Sequence, residues 1–155
     1  MVDVPRSVPR TDRSPIRTVT TVVSVVFLLV GIAGFIPGIT THYDTMTFAG
    51  HDSGAKLLGV FQVSILHNIV HLLYGVVGLI MARTVRTART YLIAGGAVYL
   101  LLWIYGLATD KMSSANFVPI NRPDDWLHFV LGVGMVGLGL ALGRGYTART
   151  SGASR

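Results

Sequence analysis

The sequence predicts an all-α polytopic membrane protein, with four transmembrane helices in a bundle. Three observations carry that reading. Hydrophobic residues make up 51% of the 155-residue chain and charged residues only 13%, roughly half the charged share of a soluble domain. Four long runs contain no Asp, Lys or Arg, and Glu is absent altogether. The Lys and Arg residues are segregated by the connections they occupy. A chain this poor in charge, with a mean hydropathy of +0.58, cannot cover a water-facing surface with polar side chains. That excludes an ordinary soluble enzyme and a disordered linker.

The uncharged runs are Thr18–Tyr43, Leu57–Ala82, Thr90–Thr109 and Trp126–Gly143, of 26, 26, 20 and 18 residues. A helix crosses a hydrocarbon core about 30 Å thick with about 17–25 apolar residues. None of the runs alternates as a barrel strand does. In lipid the backbone must satisfy its own hydrogen bonds, so helix is the expected state. Helices are therefore expected near Val19–Ile36, Val60–Ala82, Tyr91–Ala108 and Trp126–Leu142. The first segment is expected to be retained rather than cleaved as a signal peptide, because Ile36-Pro37-Gly38-Ile39 is a poor small-residue cleavage site.

Orientation follows from the cations. Arg6, Arg10, Arg13 and Arg17 precede the first helix. Arg83, Arg86 and Arg89 lie between the second and third, and Arg144, Arg149 and Arg155 follow the fourth. Ten of the thirteen Lys and Arg thus fall on one side, against Lys56, Lys111 and Arg122 on the other. The positive-inside rule then puts both termini and the middle loop in the cytoplasm of a plasma-membrane protein. The asymmetry also accounts for a pI near 10.2 without nucleic acid, for which no aromatic-and-basic patch exists. Trp126 and Tyr91, at opposite faces, fit an aromatic belt. Residues 1–17 and 144–155 read as flexible basic cytoplasmic tails flanking a transmembrane domain over 18–143. The outer loop Thr109–Asp125 is expected to pack back over the bundle. With no Cys, disulfides, iron–sulfur clusters, thiolate metal sites, thioether-linked haem and a Cys lipid anchor are excluded.

Polar residues inside the apolar runs carry the functional information. The second run contains Asn68-Ile69-Val70-His71, with Gly75 beyond it, and the fourth contains Asp125-Trp126-Leu127-His128, with Gly132 beyond it. The shared spacing suggests two repeated helical hairpins related by an axis along the membrane normal. Matching the motifs pairs His71 with His128. Counting from Arg83 and Arg144 pairs His67 with His128 instead, a difference of one helical turn. His67 and His71 are four apart and share a helix face that Tyr74, Gly75 and Gly78 continue. Gly132, Gly139 and Gly143 form a comparable stripe with His128, and small residues at such spacings let helices approach closely.

Three readings of this set stay open. In the leading one Asn68, Asp124 and Asp125 form a polar network with the histidines that orders the bundle or docks a partner, and no cofactor is involved. In the second, His71 and His128, with His67 as a further candidate, ligate a b-type haem or a divalent metal in a redox subunit; an i, i+4 pair could also bind metal with His42, Asp44, His51 or Asp52. In the third the protein is an oligomeric small-molecule or proton permeation element. No phosphate-cradling loop, nucleophile elbow or buried carboxylate pair is present, so no catalytic residue is assigned. The expectation is a non-enzymatic membrane component whose partners are the bilayer and either further copies of itself or a larger membrane complex.

The chain resembles a mostly bacterial family of small four-helix membrane proteins classified as a domain of unknown function. The resemblance spans roughly Thr18–Gly143. It rests on Asn68 through His71 with Gly75 and Gly78, on Tyr91 through Gly96, and on Asn121 through His128 with Gly132. That family pattern favours Asn near Asp124 or Asp125, where this chain has Asn121-Arg122-Pro123-Asp124-Asp125. The resemblance implies fold and membrane location, and no activity, substrate or cofactor.

Overall fold

A computed structural model describes residues 14–151, with side chains for 14–143; the first 13 residues of the expected N-terminal tail and the last four of the C-terminal tail lie outside it. Helix α1 spans Pro15–Ala33, opening on a proline in its first turn, where the missing N–H is no loss. Its last carbonyls are answered by Thr40, whose Oγ1 donates to the oxygens of Ala33 at 3.1 Å and Gly34 at 3.2 Å. Arg17, assigned from sequence to the tail, is part of α1, and its Nε donates to the Ala82 carbonyl at 3.1 Å.

A three-stranded antiparallel sheet follows, with β1 (Thr40–Thr41), β2 (Lys56–Leu57) and β3 (Phe61–Gln62) in sequence order. Thr40 faces Leu57 and Leu57 faces Phe61. The tight β2–β3 turn uses positive φ at Leu58 (53°) and Gly59 (72°). Ala55, Leu57 and Val63 form a small core beneath the sheet, against Val30 and Ala33 of α1.

Helix α2 spans Ile65–Met81, 17 residues. This corrects the expected start at Val60. Phe61 and Gln62 are spent on β3, and Ser64 then caps the helix, its Oγ accepting from the His67 N–H at 3.1 Å. The next helix, α3, spans Val85–Ala108 and begins six residues before the expected Tyr91. Thr84 caps it, accepting from the Thr87 N–H at 3.2 Å, while the Thr87 hydroxyl donates back to the Met81 carbonyl at 2.6 Å. Finally α4 spans Arg122–Ser151, extending past Leu142 at one end and starting before Trp126 at the other. Asn121 Oδ1 accepts from the Asp124 N–H at 3.0 Å and Asp124 Oδ2 accepts from the Asn121 N–H at 2.9 Å, a reciprocal capping box.

Among the described residues the fold is therefore helical with a minor sheet. Three helices, α1, α3 and the Arg122–Gly143 part of α4, are long and apolar enough to cross a membrane, and α2 is a shorter apolar helix. The helices pair as two hairpins, α1 with α2 and α3 with α4, each packed closely within itself and more sparsely against the other. The principal core lies where the hairpins meet and includes Phe27, Tyr91, Leu92, Tyr99 and Met135. Tyr91 belongs to this core rather than to an interfacial belt. Trp126 is exposed.

Candidate functional site

The histidines of α2 and α4 point into the seam between the hairpins. His67, His71 and His128 are only 5%, 9% and 4% exposed. His67 stacks on His71 with ring centroids 4.6 Å apart and lies 6.5 Å from His128. Aromatic rings complete the seam. Phe27 of α1 stacks on His71 at 5.9 Å, Tyr99 of α3 meets His128 edge-on at 5.3 Å, and Tyr74 touches both Phe27 and Tyr99. Nδ1 of each histidine is buried without a hydrogen-bond partner among the described residues, as are Asn68 Oδ1 and the Tyr74 hydroxyl.

The two hairpins repeat the same contacts. A Cβ at Gly75 would strike the Leu28 side chain and the Ser24 carbonyl, and a Cβ at Gly132 would strike Leu100 and the Gly96 carbonyl. Gly34 packs under Asn68 as Gly106 packs under Asp125. Phe27 covers His71 as Tyr99 covers His128, and Ser64 caps α2 three residues before His67 as Asn121 caps α4 three residues before Asp124. By environment His71 therefore matches His128, the pairing read from the motif, whereas His67 is the ring stacked on His71 and close to His128. Gly78 abuts Ser24 and Tyr91, and Gly139 abuts Leu92 and Ile93.

The residues expected to partner the histidines are bonded elsewhere. Asn68 Nδ2 is directed at Met46 Sδ at 3.8 Å. Asp124 and Asp125 are both buried, 2% and 3% exposed, against the expectation of no buried carboxylate pair; Asp124 Oδ2 also accepts from the Gln62 N–H at 3.1 Å, tying α4 to β3. Asp125 pairs with Lys111 at 2.9 Å; its side chain is 4% exposed against 29% for the lysine. Lys111 Nζ also donates to the Gly106 carbonyl at 2.6 Å, closing the end of α3. Asn116 braces this loop, donating to the carbonyls of Lys111 and Ile120 and accepting from the Ile120 N–H. In the first outer loop His51 pairs with Asp52 at 3.3 Å. No group of three or more His, Cys, Asp or Glu among the described residues is arranged to hold a metal ion.

Sequence reasoning placed Tyr74 on the face of His67 and His71 without giving it a role, and it missed Phe27, Tyr99 and Lys111. Phe27 and Tyr99 stand one residue before Leu28 and Leu100, the leucines that seat Gly75 and Gly132, but only the packing shows that relation.

A family profile described as "Domain of unknown function (DUF4383)" matches residues 17–141. The chain belongs to the DUF4383 family. No curated protein and no solved structure matches it. The match covers all four helices except the first two residues of α1 and the end of α4, so it takes in the whole histidine seam.

Proposed function

We propose that this chain is a four-span protein of the plasma membrane with both ends in the cytoplasm, acting as a non-enzymatic structural or accessory component. One observation carries the reading: three nearly sealed histidines and the rings around them form the join between two matching hairpins. Such a join fixes the relative placement of the halves and leaves their outer faces free for lipid or partners. The fourth span is α2. At about 25 Å it sits at the short end of the spanning range, and Ile69, Val70, Leu73, Val76, Val77 and Ile80 form a large exposed apolar face on it. The recurring contacts support the two hairpins as repeats. Arg17, Arg83, Arg86 and Arg89 gather at the end of the bundle assigned to the cytoplasm.

Single cysteines test the topology, since the chain has none. A membrane-impermeant label applied to intact cells is expected to modify Asp52→Cys and Ser114→Cys and to spare Arg86→Cys. Labelling of Arg86→Cys alone reverses the orientation, and labelling of Asp52→Cys and Arg86→Cys with Ser114→Cys spared removes α2 as a span. The redox alternative, haem or metal on His71 and His128, is supported by their unpartnered Nδ1 atoms. A Soret band or stoichiometric metal that His71→Ala abolishes would replace the structural reading.

A further inference from the structure

The buried polar groups do not stop at the histidines. Seven residues along α2 from His67, about 10 Å of helix rise, the Tyr74 ring lies 5.3 Å from that of Tyr91. The Tyr91 hydroxyl donates to the Tyr74 carbonyl at 3.2 Å. One turn further, the Tyr91 and Ser24 side chains close together over Gly78. Ser24 Oγ donates to the Thr20 carbonyl at 2.6 Å, and Thr20 Oγ1 donates to the Ile16 carbonyl at 2.8 Å. Thr20 is one turn from Arg17, at the arginine-rich end. At the other end, His128 is one turn from Asp125 and its partner Lys111.

We infer that this column of imidazoles and hydroxyls carries protons across the membrane. Hydrocarbon-buried polar atoms are costly unless bonded, and ionisable groups inside a bilayer mark ion or proton routes. Four of the orphaned atoms, the three Nδ1 and the Tyr74 hydroxyl, fall in sequence along the column. A structural join has no use for them, whereas a relay needs sites where a proton can arrive. Each neutral imidazole takes a proton at one ring nitrogen and releases the one on the other; each hydroxyl turns from any backbone carbonyl it bonds, passes its proton to the next group and takes one from the group before. One proton enters at the Asp125 end for each that leaves at the Arg17 end, and tautomer exchange resets the rings. The membrane potential supplies the drive, so no co-reactant is required. This inference goes beyond the structural role, which stands without it.

The test uses the full chain in phosphatidylcholine–phosphatidylglycerol vesicles loaded with potassium and a pH-sensitive dye. Valinomycin then imposes an inside-negative potential. Wild-type protein is expected to acidify the lumen faster than protein-free vesicles do, without releasing entrapped carboxyfluorescein. Tyr74→Phe keeps the ring and loses only an unpartnered hydroxyl, so it folds, and its flux is expected to fall to the protein-free level. His71→Gln, which cannot relay, is expected to do the same in the protein that stays folded, with a lower melting temperature because it gives up the stacks on Phe27 and His67. Wild-type flux equal to that of empty vesicles overturns the inference, as does a Tyr74→Phe protein that conducts like wild type. Dye leakage that accompanies the flux overturns it as well.

Discussion

The two hairpins solve one packing problem with different chemistry. Where α2 passes Gly34 it presents Asn68, and where α4 passes Gly106 it presents Asp125. The amide needs no counter-ion. It sits against Met46 with its oxygen unpartnered. The carboxylate is equally buried and cannot stand alone, because an unpaired charge out of water costs several kcal/mol. Lys111 supplies the opposite charge and caps α3 in the same stroke. The loops differ accordingly: the first hairpin closes with a small sheet that buries apolar residues, and the second with a loop braced by Asn116 and anchored by its lysine. Two hairpins that share glycine positions, helix caps and ring-on-histidine contacts thus differ at the matched pair Asn68 and Asp125 and in the loops that close them.

The largest expected effect tests that contrast. Lys111→Ala leaves the Asp125 charge buried and unpaired, and should destabilise the protein by roughly 3 kcal/mol, toward the low end for buried pairs because the lysine is partly exposed. Thermal unfolding in detergent reads this, and Asp125→Asn in the same background should restore most of the loss. Failure of that rescue would mean the lysine acts mainly through the Gly106 carbonyl. Next come the matched glycines. Gly75→Leu and Gly132→Leu each overpack the same kind of contact, and each should cost about 1–3 kcal/mol. A large effect at one and none at the other would break the equivalence of the hairpins.

Helix caps give a smaller signal. Ser64→Ala and Asn121→Ala should each lower stability by about 1 kcal/mol, with Asn121→Ala the larger because its side chain also donates to the Val60 carbonyl. The smallest effect belongs to Asn68→Leu, expected within about 1 kcal/mol of wild type, since its side-chain hydrogen bond is to the Met46 sulfur and interhelical polar bonds average about 0.6 kcal/mol. A loss as large as that of Lys111→Ala would place Asn68 in a network after all.

How much of this was legible follows from how local each signal is. The helices were, because an uncharged run of this length leaves the backbone few other options. The start of α2 was not: Val60-Phe61-Gln62-Val63 is apolar enough for helix or strand, and only pairing with Lys56–Leu57 decides. The start of α3 was hidden by Arg86 and Arg89, which look like loop residues yet ride the first turns of a helix. Burial of His67, His71 and His128 was readable from the spacing of the glycines around them. Their neighbours were not, because Phe27 and Tyr99 come from the opposite helix of each hairpin and reach the histidines only through tertiary packing. The partner of Asp125 was out of reach for the same reason, since it depends on how the Thr109–Asp125 loop turns back.

The link between α2 and α3 has a consequence of its own. Only Ala82, Arg83 and Thr84 separate the two helices, and Arg17 and Thr87 clamp the link through the carbonyls of Ala82 and Met81. This is the sole covalent tie between the halves, and it lies at the arginine-rich end. Any rigid-body parting of the halves therefore swings about that spine like the covers of a book. The smallest displacement falls beside Thr20 and the largest beside His128 and Lys111, so the outer end of the seam depends on the hydrogen bonds from Gln62 to Asp124 and from Asn121 to Val60 to stay shut.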